Sequence, residues 1–425
     1  MIDLNISIER NGEMISVGSI TGSDVSDAVF RYGETYLSSP DAVAISISLP
    51  LQDEAFSPER TTRFFDGLLP EGYLRRSLAH WIHTDERDYL SILHSLGREC
   101  LGAIRVTEKG EVAEASYEPL SAANIQELAK EGVSKSIDLV MKSRLSLTGA
   151  SGKVGLYYDS QNDAWYLPHG IAASTHIVKQ SHVRLAEIVE NEQLSMLTAA
   201  ECGITIPHSF IINTGSRKEN EVLFATERYD RLLSQGNPEI SGLPRPLRLH
   251  QEDFAQAMGI SAAEKYESAD GSYMKRMFEI LRQYSSNPIE DQLKLWDMIV
   301  FNCLIGNADA HIKNFSLLYS PDLKSIRLAP AYDIVSTAIY EQNVRTLSFS
   351  VGGMHSIDTL STEAFRNAAN EIGIGERMAM KRLSDMCDRF IPALSACTDR
   401  LAGEGYTQVF DIKERILRYG GISHI

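Results

Sequence analysis

Residues 305–315 read IGNADAHIKNF, and residues 329–336 read APAYDIVS. The first stretch follows a strongly apolar run, 298–305, and sets Asp309, His311, Lys313 and Asn314 close together. The second carries Asp333. An Asp, an Asn five residues later and a second Asp beyond a hairpin-length gap is the set that phosphoryl transfer from a metal-bound nucleotide needs. One carboxylate orients the attacking hydroxyl, while an amide oxygen and the other carboxylate hold Mg²⁺ against phosphates. The same residues also suit a polar turn between a buried helix and a strand, with Asp and Asn as turn and cap residues.

Working outward, the helix that delivers this loop is expected over 289–305, opened by Pro288 and closed by Gly306. A hairpin over 315–319 and 326–329 leads to Asp333, and 346–351 reads as a short strand. Helices are expected at 252–258, 273–284, 362–373, 376–401 and 409–417. The N-terminal side reads differently. Leu4, Ile6 and Ile8 alternate with polar residues, Asn11-Gly12 offers a hairpin turn, and Ile15, Val17 and Ile20 resume the alternation. Residues 43–49, VAISISL, read as a further strand, 86–96 as a helix, 101–106 as a strand and 113–121 as a polar link. A helix is expected over 122–142, then a strand, a glycine turn and a strand over 144–158. The turn's small residues let backbone N–H groups approach phosphates, although an ordinary glycine hairpin has the same composition. The GxxxxGK[ST] spacing is absent and a strand follows, so this is not a Walker A loop. A strand at 176–180 carries Lys179 at its end, a helix spans 189–202, and strands at 209–212 and 222–226 run into Glu227, Arg228 and Tyr229.

The chain has 425 residues, 43% hydrophobic and 23% charged, enough for two or three domains of ordinary globular composition. A formal net charge of −16 argues against a protein that grips nucleic acid by its overall charge. The five cysteines form no CxxC pair and read as reduced thiols of a cytoplasmic protein. The N-terminus lacks a secretory pattern and no apolar run reaches membrane-span length, so no membrane partner is expected.

Nine motifs in order carry a resemblance: FFDGLLPEG (64–72), LGRECLGAI (96–104), LSLTGASGK (145–153), THIVK (175–179), ENE (190–192), TERYDR (226–231), QEDFAQAMG (251–259) with KYE (265–267), NADAHIKNF (307–315) and PAYDI (330–334). Together they resemble the HipA-like serine/threonine kinases, the toxin components of bacterial toxin–antitoxin pairs. The resemblance implies an α/β (α+β), two-lobed protein-kinase-like fold. Its expected parts are a β-rich N-terminal subdomain (1–120), a kinase N-lobe (121–235) and a mostly helical C-lobe (236–425). It implies ATP and Mg²⁺ as cofactors, with Asp309 as the catalytic carboxylate and Asn314 and Asp333 as metal ligands. Lys179 would contact the α- and β-phosphates. Thr148, Gly149, Ala150, Ser151, Gly152 and Lys153 would form the phosphate loop, and Glu227, Arg228 and Tyr229 the adenine hinge. His311, Lys313 and Tyr332 would line the nucleotide site. Ser146 matches the autophosphorylated position, where a phosphate would repel the loop that cradles ATP. Relatives carry Gln and a larger residue where this chain has Ser151 and Gly152, so the loop is expected to be more flexible. The implied partners are a protein substrate, of which an aminoacyl-tRNA synthetase is one candidate, and a helix-turn-helix antitoxin through which DNA is met indirectly. A scaffold docked to antitoxin and operator, and a small-molecule kinase, stand as the alternative functions.

Overall fold

The computed structural model describes residues 2–111, 114–143, 146–147, 152–181, 185–234, 236–268, 271–340 and 345–425. The chain forms two compact units, the first from 1–182, 225–262 and 318–325, the second from 183–224, 263–317 and 326–425.

The first unit opens with the expected hairpin. Ile2–Arg10 pairs antiparallel with Glu13–Gly22 across Asn11-Gly12, and Val29–Tyr32 and Ile104–Glu108 flank the pair in one four-stranded sheet. The alternation works as read, since Leu4, Ile6 and Ile8 are buried. Helices Pro58–Phe65, Gly72–Trp81 and Tyr89–Leu96 complete this region. Phe30 packs on Phe56 and Phe65 with ring centroids 5.9 and 5.3 Å apart. A second sheet orders Ala115–Leu120, Ala164–Gly170, Lys153–Asp159 and His176–Gln180 side by side, followed by the Ala225–Glu227 end of strand Val222–Glu227.

Four sequence expectations give way here. Residues 43–49 form no strand beyond an isolated bridge between Ser46 and Leu49. Their backbone donors go to side chains instead: Val43 N–H to the Tyr36 hydroxyl, Ile45 N–H to the Tyr32 hydroxyl and Ile47 N–H to Glu252. A backbone satisfied in that way needs no ladder. Residues 115–120, read as a polar link, are an edge strand whose one buried side chain is Tyr117; an edge tolerates the polar face and Pro119. The helix expected over 122–142 is two, Ala122–Glu131 and Val133–Ser143, parted by Gly132 at φ +59°. Ser146 and Leu147 belong to no strand.

The second unit is mostly helical. Ile188–Glu201, Tyr273–Tyr284, Pro288–Ile305, Thr362–Ile372, Glu376–Gly403 and Val409–Tyr419 match the 3.6-residue spacing to within a few residues. Pro288–Ile305 is central, with Leu295, Trp296, Phe301, Leu304 and Ile305 buried. Trp296 meets Phe365 edge-on at 6.0 Å, and Phe301 lies 5.7 Å from Phe390. Among the described residues, no helix is long and apolar enough to cross a membrane.

Candidate active site

In the second unit, helix Pro288–Ile305 ends at Gly306 in the left-handed conformation that glycine reaches at least cost. The chain then folds back on the helix end. Asn307 donates its amide to Asn302 Oδ1 at 2.8 Å, and its Oδ1 accepts the Asp309 N–H at 3.2 Å. Ala308 N–H reaches the Thr337 hydroxyl at 2.8 Å, and the Ser348 hydroxyl donates to the Ala308 carbonyl at 2.8 Å. The loop is thus held at every residue before Asp309, while Asp309 itself is exposed. Asn314, in the one-turn helix Ile312–Asn314, donates its amide nitrogen back to the Asp309 carbonyl at 3.0 Å. That bond fixes the amide's orientation and leaves its oxygen as the side chain's acceptor, the atom a hard cation takes.

Asp333 joins the same frame. Its carbonyl accepts from the Asn307 amide at 3.4 Å, and Ala338 N–H donates to the Gly306 carbonyl at 2.9 Å. Ser336 closes the arrangement, donating its hydroxyl to the Ile305 carbonyl at 2.6 Å and exchanging hydrogen bonds with Asn191. Asp333 stands at φ +57°, a left-handed conformation that Asp tolerates better than most residues and that clusters at functional positions. His311 and Lys313 are buried, and the Tyr332 hydroxyl donates to the Lys313 carbonyl at 2.8 Å and shares a hydrogen bond with Ser316. Asp309, His311, Lys313, Asn314, Tyr332 and Asp333 are therefore brought together on one hydrogen-bonded frame. Sequence reasoning missed the residues that hold it: Asn191, Asn302, Asn307, Ser336, Thr337 and Ser348. Asn191 and Asn307 lie inside motifs quoted for the resemblance, and Asn302 is a polar residue inside an apolar helix, but none of the three was given a role.

In the first unit, Lys153 and Lys179 are direct partners across the antiparallel strands Lys153–Asp159 and His176–Gln180. Directly opposed residues share a face of the sheet. Gly152 is buried beside them, whereas Thr148, Gly149, Ala150 and Ser151 lie outside the described residues. Glu227 is exposed and the Tyr229 hydroxyl bonds Gln251. Arg228 turns inward. Its N–H donates to the Thr175 carbonyl at 2.8 Å, and its guanidinium lies within a buried ionic cluster with Asp230 at 2.8 Å and Glu99 at 3.2 Å. Arg231 and Arg248 reach the same Glu99 carboxylate at 2.9 and 2.5 Å. Burial works against the Glu99 charge, but the three guanidiniums overcome it and hold its carboxyl down at about 2. Sequence reasoning singled out Arg228 for the nucleotide and did not foresee this cluster, whose members are far apart in the chain. Ser146 is fully buried, its N–H donating to the Glu99 carbonyl at 2.7 Å and its hydroxyl to the Leu68 carbonyl at 2.6 Å.

The family described as HipA N-terminal domain matches residues 12–107, and that described as HipA-like C-terminal domain matches residues 145–394. Y4mE of Sinorhizobium fredii is 32% identical over 389 residues, spanning 89% of each chain. The serine/threonine-protein kinase toxin HipA of Shewanella oneidensis is 28% identical over 344 residues, spanning 78% of this chain and 75% of that protein. A solved structure of the Shewanella oneidensis toxin–antitoxin system, HipA with HipB and operator DNA, superposes with a TM-score of 0.78 at 22% identity, covering 98% of this chain and 97% of that one. That likeness shows a shared fold. With both domain families matched in order and a relative aligned over most of its length, the chain belongs to the HipA-like kinase family.

Proposed function

We propose that this chain transfers the γ-phosphoryl group of ATP to a Ser or Thr hydroxyl of a protein. The observation that carries the reading is the frame around Asp309. An exposed carboxylate is held on a loop fixed by Asn302, Asn307 and Thr337, with Asn314 bonded to its carbonyl and Asp333 tied to the same loop. In this reading Asp309 accepts the hydrogen bond of the acceptor hydroxyl and takes its proton as the new oxygen–phosphorus bond forms and the bond from the γ-phosphorus to the bridging oxygen breaks, releasing ADP. Asn314 and Asp333 supply an amide oxygen and a carboxylate, a donor set that suits Mg²⁺, which takes few protein ligands and fills the remainder with water and phosphate oxygens. Bound there, Mg²⁺ would supply charge neutralisation for the phosphates. Lys179 and Lys153 contribute positive charge from one sheet face and Gly152 close backbone approach, with Thr148–Ser151 completing the phosphate loop. Glu227–Tyr229 serve the adenine edge through the backbone, because the Arg228 guanidinium is committed to Glu99 and Asp230. His311, Lys313 and Tyr332 line the nucleotide site.

The same reading makes the chain the toxin of a toxin–antitoxin pair in the cytoplasm, arresting growth by modifying a translation protein, with an aminoacyl-tRNA synthetase as the candidate. The Shewanella structure supports a HipB-type antitoxin as partner. A net charge of −16 favours DNA contact through that partner. Ser146 is the proposed self-silencing site, and 1–120, 121–235 and 236–425 the proposed functional parts. The test is intact-mass and peptide mass spectrometry after incubation with Mg-ATP, beside Asp309→Asn. Phosphate gained by the wild type and absent from Asp309→Asn, with ATP binding kept within a few-fold, supports the reading. Wild-type transfer by Asp309→Asn removes Asp309 from the mechanism.

A further inference from the structure

We propose that Tyr266 is a positioning residue for the Asp309 carboxylate, holding it through Oδ1 in the orientation in which it meets the acceptor hydroxyl. The proposal rests on Asp309 being the catalytic carboxylate. The Tyr266 hydroxyl donates to Asp309 Oδ1 at 2.7 Å. The side chain is 50% exposed, so burial does not explain its place. Its surroundings fix it there nonetheless. The next residue, Glu267, donates its N–H to the Ser348 carbonyl at 2.8 Å. The Glu267 carboxylate accepts the Ser350 N–H at 2.7 Å and the Tyr273 N–H at 2.6 Å. Ser348 also donates its hydroxyl to the Ala308 carbonyl, immediately before Asp309. One strand, Thr346–Val351, therefore grips both the segment that carries the phenol and the loop that carries the carboxylate. The ring is steadied from two further sides. His311 meets it edge-on with centroids 5.4 Å apart, and the Lys265 ammonium lies 5.4 Å from its centroid.

This arrangement answers a specific need. Phosphoryl transfer draws its rate from positioning, and the last side-chain bond of an Asp is a soft torsion that hydrogen bonds orient. A donor on Oδ1 limits the rotation of the carboxylate. As a surface hydrogen bond it adds little to folding, so its removal separates catalysis from stability.

Tyr266→Phe keeps the ring with its His311 and Lys265 contacts and removes only the hydroxyl. We would measure ³²P transfer from Mg-ATP to the chain itself and to the generic acceptor myelin basic protein, with nucleotide affinity and thermal melting on the same samples. Tyr266→Phe is expected to lower kcat by roughly 10- to 100-fold, with KM for either substrate within about twofold and melting unchanged. In an Asp309→Asn background the same change should have no further effect. An unchanged or raised kcat in Tyr266→Phe overturns the positioning role. So does a loss of rate matched by a loss of nucleotide affinity and melting temperature. An active Asp309→Asn overturns the reading of Asp309 itself, whereas an inactive Asp309→Asn beside a fully active Tyr266→Phe overturns only the role of Tyr266.

Discussion

The hydroxyl of Ser146 donates a 2.6 Å hydrogen bond to the main-chain carbonyl of Leu68, 78 residues earlier in the chain. The FFDGLLPEG motif thereby holds the proposed phosphorylation site, and Ser146 is wholly buried. Its hydroxyl can take a phosphate only after leaving this contact. Ser146→Ala leaves the Leu68 carbonyl without its donor and should cost about 1–2 kcal/mol, read as a lower urea midpoint at unchanged slope. Ser146→Asp should cost more, because a carboxylate cannot stay buried against a carbonyl. An Asp variant as stable as the Ala variant would count against the burial seen here.

Glu99 gathers three guanidiniums in a fully buried cluster, and removing one partner from such a set strands the others. Glu99→Gln should lower stability by about 3–5 kcal/mol in chemical denaturation. Adding Arg248→Met should cost less than the sum of the two single changes, because the second removes a charge the first left unbalanced. Simple additivity would show that the two side chains do not interact.

Glu252 gives a pH signature of the opposite kind. It is buried with the Ser46 and Tyr319 hydroxyls each at 2.5 Å and the Ile47 N–H at 3.1 Å, and burial pushes its carboxyl up to about 7. An acid whose folded value is raised binds more protons folded than unfolded. Its stabilisation is present below about 4.5, the ordinary carboxyl value, and is lost as pH rises from there through about 7. Glu252→Gln is neutral throughout and can donate to Ser46. Relative to wild type it should gain stability, by up to roughly 3 kcal/mol, as pH is raised from 5 to 8. Parallel stability–pH curves for the two proteins would refute the assignment.

Asn314 bonds the Asp309 carbonyl through its nitrogen at 3.0 Å and is proposed to meet Mg²⁺ through its oxygen. Asn314→Ala should raise the Mg²⁺ concentration for half-maximal phosphoryl transfer by about tenfold or more. An unchanged Mg²⁺ requirement would remove Asn314 from the proposed metal site.

Local rules made much of this protein legible. Alternation gave the N-terminal hairpin, and helical spacing with Pro288 and Gly306 gave the helix behind the Asp309 loop, because these patterns report which face a segment buries. The same rules failed where tertiary partners replaced a ladder. Residues 43–49 alternate like a strand, yet their N–H groups are taken by Tyr36, Tyr32 and Glu252.

The sequence by itself determined most element types and the order of the motifs, and it named Asp309, Asn314, Asp333 and Lys179 as the candidates for chemistry. These follow from short-range spacing and residue type, which the chain carries wherever it folds. Only the tertiary structure decided what holds them. Lys153 lies opposite Lys179 through strand register, Arg228 faces Glu99 instead of solvent, and Tyr266 reaches Asp309 across 43 residues. Each depends on which distant segments pack together, and that is set by the burial of whole elements rather than by any local pattern.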